Sequence, residues 1–475
     1  MRREVIVVLK APLAQALVEG DIAAPSPSVS QLETVLGDQG ALLQPVFDPP
    51  AASMVESPGA EGGGAIARTG YDPEDEDLAR YFSAVVDDGK AETLVEQLNA
   101  LEEVESAYIK PAVENPLAPE EDLSLSALST PPVPTIPDFS GGQGYLGPAP
   151  GGVGITAAWG RRGGKGAGVR VIDIEGGWQF SHIDLRQNQG GLVGGQMINE
   201  VGWRNHGTAV LGEISGDENG IGVVGLAPDA QVFAVSHYPR GSAHAIQLAA
   251  SRLAPGDILL LEMHRPGPRY GFAQRNDQRG YIAVEWWPDD LAAIRAAGRR
   301  GVIVVEAAGN GAEDLDAAIY DVPAPGFPAS WRNPFRGADN DSGAIVVGAG
   351  APPSGTFGPD RSRLNFSNWG ARVDCQGWGR EVVTTGYGDL FAGSGEDFWF
   401  TRTFSGTSSA SPIVVGVLAC VAGILKAAGR WLQPAQARAV LRQTGSAQQA
   451  SASAPLSQRI GSRPNTGDIL AALGV

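Results

Sequence analysis

Positive charge is scarce in this sequence. Its 475 residues include 35 lysines and arginines against 53 aspartates and glutamates, which gives a net charge of -18 and a pI of about 4.7. A chain this acidic repels polyanions, so we expect neither nucleic acid nor an anionic membrane surface as a partner. The 43% hydrophobic and 19% charged residues are typical of a globular protein with one large core and a smaller domain.

Cysteine and long apolar runs are also scarce. Cys375 and Cys420 are far apart and in no metal-ligand spacing, so we expect two reduced, buried thiols. The N-terminal MRREVIVVLK is too short and too charged for a signal peptide, and the longest apolar run, Pro412 to Leu425, is shorter than a membrane span. We therefore expect no export signal or membrane anchor, a cytoplasmic location by default, and a monomer.

Residues 1–113 alternate between strand and helix patterns. A helix at 91–104 is predicted by Leu94, Leu98 and Leu101, which share one face. The other patterns predict a helix at 28–36, a glycine-rich loop at 59–70, and strands at 4–10, 41–47, 78–86 and 106–113. The order βαββαβ predicts a small α+β sandwich.

Residues 114–145 are rich in proline and acidic residues, which predicts an extended, accessible linker. From residue 146 to residue 475, short apolar strands alternate with helices. The predicted strands are 169–175, 231–236, 257–262, 302–305 and 344–348, and the predicted helices include 242–253 and 288–299. This pattern predicts a doubly wound, mostly parallel α/β sheet, whose functional groups lie at the carboxyl ends of the strands.

Three reactive residue types stand at predicted turns of this second part. Glu175 ends a strand, His206 begins a helix, and Ser408 begins an apolar helix of small residues. A serine hydroxyl needs a base such as imidazole to become a nucleophile, and a carboxylate can hold that imidazole in one tautomer. The positive end of the helix that follows Ser408 can hold an oxyanion, although a simple helix cap would look the same in isolation.

The motifs around these residues resemble those of the subtilisin-like serine peptidases. The blocks that carry the resemblance are NHGTAVLGEI with His206, GIGVVGLAP at 220–228, VVEAAGNG with Asn310, NFSNWG at 365–370, and GTSSASP with Ser408. The resemblance covers roughly residues 145–475. It implies peptide hydrolysis through an acyl-enzyme, with Ser408 as nucleophile, His206 as general base, and Asn310 with the Ser408 backbone N–H as oxyanion donors.

The acid departs from the family pattern. The family usually has Asp-x-Gly, with its aspartate seven residues before the histidine of a His-Pro-Asp-Leu segment. Here that histidine is His182, and counting back seven residues gives Glu175, while Asp173 lies two residues earlier on the same strand face. Either Glu175 orients His206 with Asp173 as a buried partner, or the strand slips and Asp173 does so itself. Two buried carboxyls together should raise the pKa of one of them and shift the optimum pH of the activity.

Further residues follow from the resemblance. In the family the strand that lines the cleft ends in Ser-Leu-Gly. Here it reads DILLLEMHRPGP, with Met263, His264 and Arg265 near that edge; the two basic residues either favour acidic substrates or are solvated charges. A structural calcium ion is implied at Asp184 and Asn219, with a plain loop contact as the alternative. The other histidines, at 182, 237 and 244, are expected to be structural.

The N-terminal unit resembles, in layout, the inhibitory prosegment of these peptidases. Its tail, AYIKPAV at 107–113, would then occupy the cleft, with processing within 114–150. Together these features predict a serine endopeptidase that acts on peptide or protein substrates and is inhibited by its own N-terminal segment. A weakly active scaffold on the same fold is an alternative, as is a Ser-Glu-Asp peptidase, although His206-Gly207-Thr208 counts against the latter.

Overall fold

The computed structural model describes residues 2–19, 27–49, 76–116, 135–337 and 339–475. Two sheets organise these residues. An antiparallel sheet of four strands lies near the N-terminus, and a parallel sheet of seven strands forms the centre of the larger domain. The predicted loop at 59–70 lies outside the described residues.

The described part of the N-terminal domain has four strands and three α-helices. Its elements are β1 (Arg2–Leu9), α1 (Ala11–Glu19), α2 (Pro27–Gln39), β2 (Gln44–Pro45), β3 (Tyr81–Asp87), α3 (Asp88–Asn99) and β4 (Val104–Lys110), with the strands in the order β2-β3-β1-β4. The observed elements follow the predicted βαββαβ order with one additional helix, α1. Helix α3 buries Ala91, Leu94 and Leu98 but ends before Leu101.

The larger domain contains the remaining elements. Its strands are β5 (Arg170–Glu175), β6 (Gln189–Gly194), β7 (Gln231–Ser236), β8 (Ile258–Leu261), β9 (His264–Pro266), β10 (Tyr281–Ala283), β11 (Ile303–Ala307), β12 (Ile345–Gly350), β13 (Cys375–Trp378), β14 (Val382–Thr385) and β15 (Phe400–Phe404). Its helices are α4 (Thr156–Trp159), α5 (Val201–Ser215), α6 (Ser242–Ala250), α7 (Pro288–Arg299), α8 (Thr407–Ala427), α9 (Pro434–Gln443) and α10 (Thr466–Leu473).

The central sheet confirms the predicted doubly wound α/β fold. Its order is β13-β12-β11-β8-β5-β7-β6, and every neighbouring pair is parallel. Alternate residues of each strand enter different cores. In β8, Ile258 and Leu260 pack in the core that contains α8, whereas Leu259 and Leu261 pack with helices α6 and α7. Both faces of the sheet are therefore covered.

Strands β6 and β13 at the two edges were not predicted. Their sequences, QGGLVG and CQGW, contain glycine and few β-branched residues, so they carry little strand signal of their own. Pairing with β7 and β12 makes them strands.

Helix α8 is the centre of the larger core. Among the described helices it alone is long and apolar enough to cross a membrane, but its apolar stretch is entirely buried inside the protein. Cys420 lies within it and Cys375 in β13, and both are free and buried, as predicted.

The N-terminal sheet is docked on helices α6 and α7. Val5 and Val7 of β1 face the domain's own helices, whereas Ile6 and Val8 pack into the core that contains α6 and α7. Buried charges join the same surfaces: Lys110 forms ion pairs with Asp289 and Asp290, the latter at 2.9 Å. Strand β1 is therefore buried on both faces by contact with the larger domain.

The predicted linker differs from the structure at both ends. Residues 114–116 lie in the cleft of the larger domain, and residues 135–145 pack against it, with Ile136 and Tyr145 buried. Proline and acidic content indicated accessibility, but contacts with the larger domain hold these parts and bury Pro116, Ile136 and Tyr145. The intervening residues 117–134 lie outside the described part.

Candidate active site

Three elements bring the predicted triad residues to one edge of the sheet. Glu175 is the last residue of β5, and Ser408 is the second residue of α8. His206 lies inside α5, which begins five residues earlier than the predicted start. All three side chains are fully buried.

His206 is paired with Glu175. The distance from His206 Nδ1 to Glu175 Oε2 is 2.6 Å. Because Nδ1 faces a carboxylate, Nε2 is the nitrogen left to accept a proton. Burial lowers the pKa of His206 to about 3, and the charge of Asp173 opposes that shift. The imidazole is therefore neutral at pH 7, as a base must be.

Asp173 lies behind Glu175 and does not contact His206 by a hydrogen bond. Its Oδ2 accepts a hydrogen bond of 2.8 Å from Trp178 Nε1. Two buried oxygens, Asp173 Oδ1 and Glu175 Oε1, lack a donor among the described residues. Burial first, and then the neighbouring Glu175 charge, raises the pKa of Asp173 well above its usual range. Burial also raises the pKa of Glu175, and a hydrogen bond from Asp173 opposes this shift. A proton on Asp173 would satisfy both lone oxygens.

Ser408 does not donate its hydroxyl proton to His206 in this conformation. Its Oγ donates to the carbonyl oxygen of Pro116 at 2.9 Å, and His206 Nε2 has no hydrogen-bond partner in the described residues. The nucleophile candidate thus faces a peptide carbonyl of its own chain. The Ser408 hydroxyl must release the Pro116 carbonyl oxygen before His206 can take its proton.

Asn310 is held with its amide nitrogen towards the cleft. Its Oδ1 accepts hydrogen bonds of 3.0 Å from both the backbone N–H and the hydroxyl of Thr407, and its Nδ2 donates to Gln278 Oε1 at 3.3 Å. Gly406, with φ of 99°, completes the turn, and a Cβ there would clash with the Pro116 carbonyl oxygen. The turn before Ser408 therefore requires glycine.

The segment Glu114–Pro116 occupies the cleft as an added strand. The backbone of Glu114 exchanges two hydrogen bonds with His264, of 3.1 and 3.2 Å, in antiparallel register. Gln278 Nε2 donates to the carbonyl of Asn115 at 2.9 Å. The cleft is thus filled by residues 114–116, which lie just beyond the predicted tail 107–113.

The three residues predicted near the cleft are all buried. Met263 lies in the core, and His264 accepts a hydrogen bond of 3.3 Å at Nδ1 from the Asn310 backbone N–H. Arg265 binds Asp290, Ser242 and the carbonyl of Pro111. Both basic residues are buried and have partners inside the protein in this conformation, so neither is a solvated charge.

Two further carboxyls lie near the triad. Glu213 of α5 and Glu262, just after β8, are fully buried, and their oxygens have no hydrogen-bond donor in the described part of the chain. Burial raises the pKa of both well above the usual range, and for Glu262 the charges of Glu175 and Asp173 add to that shift. The sequence analysis did not single them out.

Asp184 and Asn219 lie together but do not fit a calcium ion as placed. Asp184 Oδ1 accepts from Asn219 Nδ2 at 2.9 Å, and its Oδ2 accepts from the Val223 backbone N–H at 2.7 Å. Asn219 Oδ1 in turn accepts from the Ile221 N–H. A hard cation needs oxygen ligands, whereas N–H groups face Asp184 here. No group of three or more potential ligands from His, Cys, Asp and Glu occurs among the described residues.

We expect chelation to spare this loop. Asp184→Ala should lower the free energy of unfolding by about 1–3 kcal/mol, because it leaves the buried Val223 N–H unsatisfied and removes the acceptor of Asn219. The loss should be the same in EDTA and in millimolar calcium, as measured by thermal unfolding. A calcium-dependent rise in the unfolding temperature that the Asp184→Ala chain loses would contradict this.

The remaining histidines are held by structural contacts. His182 Nε2 is 2.8 Å from the Trp399 carbonyl oxygen, and His237 packs on Trp203. His244 lies near Asp48 of the N-terminal domain.

Sequence reasoning missed Pro116, Gln278 and Tyr281 near the cleft. None lies in a motif, and only the fold brings Pro116 to Ser408 and brings Gln278 and Tyr281 to the segment at 114–116.

Comparison with known proteins identifies relatives of the larger domain. The model of the subtilase family matches residues 181–462, which is more than half of the chain and includes His206, Asn310 and Ser408 but not Glu175. Alkaline elastase YaB of Bacillus sp. (strain YaB) is 30% identical over 268 residues, which cover 55% of this chain and 56% of that protein. Subtilisin BL of Lederbergia lenta is 29% identical over 267 residues, covering 55% of this chain and 78% of the relative.

Alkaline elastase YaB is thus matched over little more than half of its own length. The match to a solved protease structure from Pseudoalteromonas arctica covers 71% of this chain and 99% of that protein's chain, with a TM-score of 0.48 and 21% identity. The family assignment does not rest on this match. The family match and the parallel sheet agree with each other. The chain belongs to the subtilase family.

Proposed function

We propose that this protein is a serine endopeptidase, made as a precursor that its own N-terminal domain inhibits. One observation carries the proposal: the carbonyl of Pro116 lies 2.9 Å from Ser408 Oγ, while the segment that carries it pairs with the cleft backbone at His264. Peptidases hold substrates in this way, by adding a strand to the edge of the cleft. The chain therefore has a peptide bond where a substrate would lie.

The reaction we propose is acyl transfer. His206 Nε2 removes the hydroxyl proton of Ser408 as Oγ bonds to the carbonyl carbon, and the carbonyl becomes a tetrahedral oxyanion. Asn310 Nδ2 and the Ser408 backbone N–H would donate to that oxyanion. His206 then gives its proton to the leaving amine, which leaves an acyl-enzyme. Water, with His206 again as base, releases the acid and restores Ser408.

In the proposed mechanism, Glu175 orients His206. Its Oε2 lies 2.6 Å from His206 Nδ1 and accepts the Nδ1–H proton in a hydrogen bond. The carboxylate also stabilises the imidazolium that forms during each proton transfer. Asp173 would act through Glu175, by donating a hydrogen bond that keeps the second oxygen of Glu175 satisfied.

The contacts of the intact chain support inhibition. Ser408 donates to the Pro116 carbonyl oxygen rather than to His206, and Asn310 Nδ2 is engaged by Gln278. The buried ion pairs of Lys110 and the apolar face of β1 hold the N-terminal domain on the larger one. Cleavage after Pro116 would cut the covalent link, while these contacts would delay release.

The test uses the purified full chain. We expect a fluorophosphonate probe to label Ser408 in chains that have released the cleft segment, and N-terminal sequencing to find a new terminus at Leu117. Intact mass should give two fragments that add to the precursor plus water. A chain that remains whole and unlabelled after long incubation would instead indicate a scaffold on a subtilase fold.

A further inference from the structure

The loop between β9 and β10 contacts the segment in the cleft with two side chains. Gln278 near its end donates to the Asn115 carbonyl at 2.9 Å. Tyr281, the first residue of β10, donates its hydroxyl proton to Glu114 Oε1 at 2.8 Å. The contact of Gln278 is with a backbone carbonyl and does not depend on the peptide's sequence. The contact of Tyr281 is with a carboxylate and does depend on the side chain at that position.

The hydroxyl of Tyr281 is oriented as a donor. Its oxygen accepts a hydrogen bond of 3.0 Å from the Arg275 backbone N–H, so its own proton points to the cleft. A phenol has one proton to give, and among the described residues this one goes to Glu114. The ring is fixed as well, because it packs on His264 with the two ring centres 4.7 Å apart.

Backbone register places this contact at one position of a substrate. Glu114 pairs with His264, and the carbonyl two residues later, at Pro116, faces Ser408. Glu114 is thus the third residue on the amino side of the bond that would be cut. The antiparallel pairing with His264 fixes that count, since a one-residue slip would turn the side chain to the other face.

The surroundings of Glu114 favour an acceptor over a cation. Arg275 forms an ion pair with Asp277 at 2.6 Å, and its guanidinium lies 4.5 Å from the ring centre of Tyr270, so the donor that meets Glu114 is the Tyr281 hydroxyl rather than this charge. A lysine at this position of the peptide has no acceptor atom, so its ammonium group would face the Tyr281 hydroxyl donor without forming the hydrogen bond that Glu114 accepts. An alanine would leave the phenolic proton unsatisfied at a half-buried site.

We propose, on the basis of the proposed endopeptidase function, that the cleft selects peptides with glutamate at the third residue before the cleaved bond, and that the Tyr281 hydroxyl is the group that selects it. The occupant of the cleft in the intact chain would then resemble the preferred substrate. Glutamine, whose neutral oxygen accepts a weaker hydrogen bond, should be tolerated less well than glutamate.

The experiment compares quenched fluorescent peptides on the full chain after self-cleavage. The parent peptide has the sequence of residues 111–118, and three others replace only its glutamate with Gln, Ala or Lys. We expect kcat/KM for the glutamate peptide to exceed that for the alanine peptide about tenfold or more, as one hydrogen bond to a charged acceptor allows. The difference should lie mainly in KM if the contact forms in the ground state.

Tyr281→Phe removes only the hydroxyl and should reduce this preference to about twofold or less. Tyr238→Phe, at an exposed tyrosine whose hydroxyl is not the donor to Glu114, is the matched control and should keep the full preference. Fluorophosphonate labelling counts the active sites in every preparation. The comparison of peptides on the unaltered chain stands even if Tyr281→Phe fails to fold.

Each outcome decides the matter. Equal rates for the glutamate and alanine peptides, with Ser408 labelled, would overturn this inference and leave the endopeptidase function intact. A preference that Tyr281→Phe retains would overturn the role of Tyr281. Self-cleavage without any cleavage of the glutamate peptide would also overturn it. Absence of labelling, self-cleavage and peptide cleavage together would refute the proposed function, and this inference with it.

Discussion

Ser408→Ala should lower kcat by about a million-fold, the scale found for the nucleophile of a subtilisin. The loss is this large because alanine has no oxygen to form the acyl-enzyme, so neither His206 nor Asn310 has a reaction to assist. The variant should fold, since the lost hydroxyl donates only to the Pro116 carbonyl in the intact chain.

The measurement is the state of the chain itself. Ser408→Ala should stay at the full mass of 49.3 kDa with its original N-terminus, while the unaltered chain yields a terminus at Leu117. Ser411→Ala, one helical turn further along α8, is the matched control and should process like the unaltered chain. Its hydroxyl donates to the Thr407 carbonyl and lies outside the proposed catalytic set. The same cut in the Ser408→Ala chain would show that another protease makes it.

Glu175→Gln should lower kcat roughly ten-thousandfold, as removal of the charge from a triad acid does elsewhere. The amide has nearly the shape of the carboxyl, but its N–H would face His206 Nδ1. Nδ1 would then have to accept, the proton would move to Nε2, and the imidazole could no longer act as base towards Ser408.

Asp173→Asn is the matched change on the same strand face. Asparagine can still accept from Trp178 and donate an N–H to Glu175, so we expect a loss in kcat of roughly tenfold at most. Steady-state kinetics on a peptide substrate, with Ser408 labelling to count sites, measures both variants. A severe loss in Asp173→Asn together with a mild one in Glu175→Gln would mean that Asp173 orients His206 in the active enzyme.

The larger domain could be predicted in outline because its signals are local. Short apolar runs predict five of its strands, and a local pattern predicts the helix that starts at Pro288, without information on their neighbours. The five strands are β5, β7, β8, β11 and β12. Edge strands such as β6 were missed because pairing, rather than their own residues, makes them strands. The argument for Glu175 used only its spacing of seven residues from His182. In the structure, Glu175 Oε2 lies 2.6 Å from His206 Nδ1.

The contents of the cleft could not be predicted in the same way. The tail was expected to end at residue 113, but Glu114 pairs with His264, and Pro116 reaches Ser408, 292 positions away in sequence. No local pattern encodes such a contact. It depends on how β1 and β4 dock on α6 and α7 and on the register that this docking imposes.

The sequence by itself determined the family, the parallel sheet and the identities of serine, histidine and asparagine at its edge, because each of these follows from local periodicity or a short motif. Only the tertiary structure decided which carboxyl meets His206, that Asp184 and Asn219 bind each other, and that Tyr281 faces Glu114. The physical reason is that hydrogen bonds of about 3 Å between distant segments depend on strand register and domain docking.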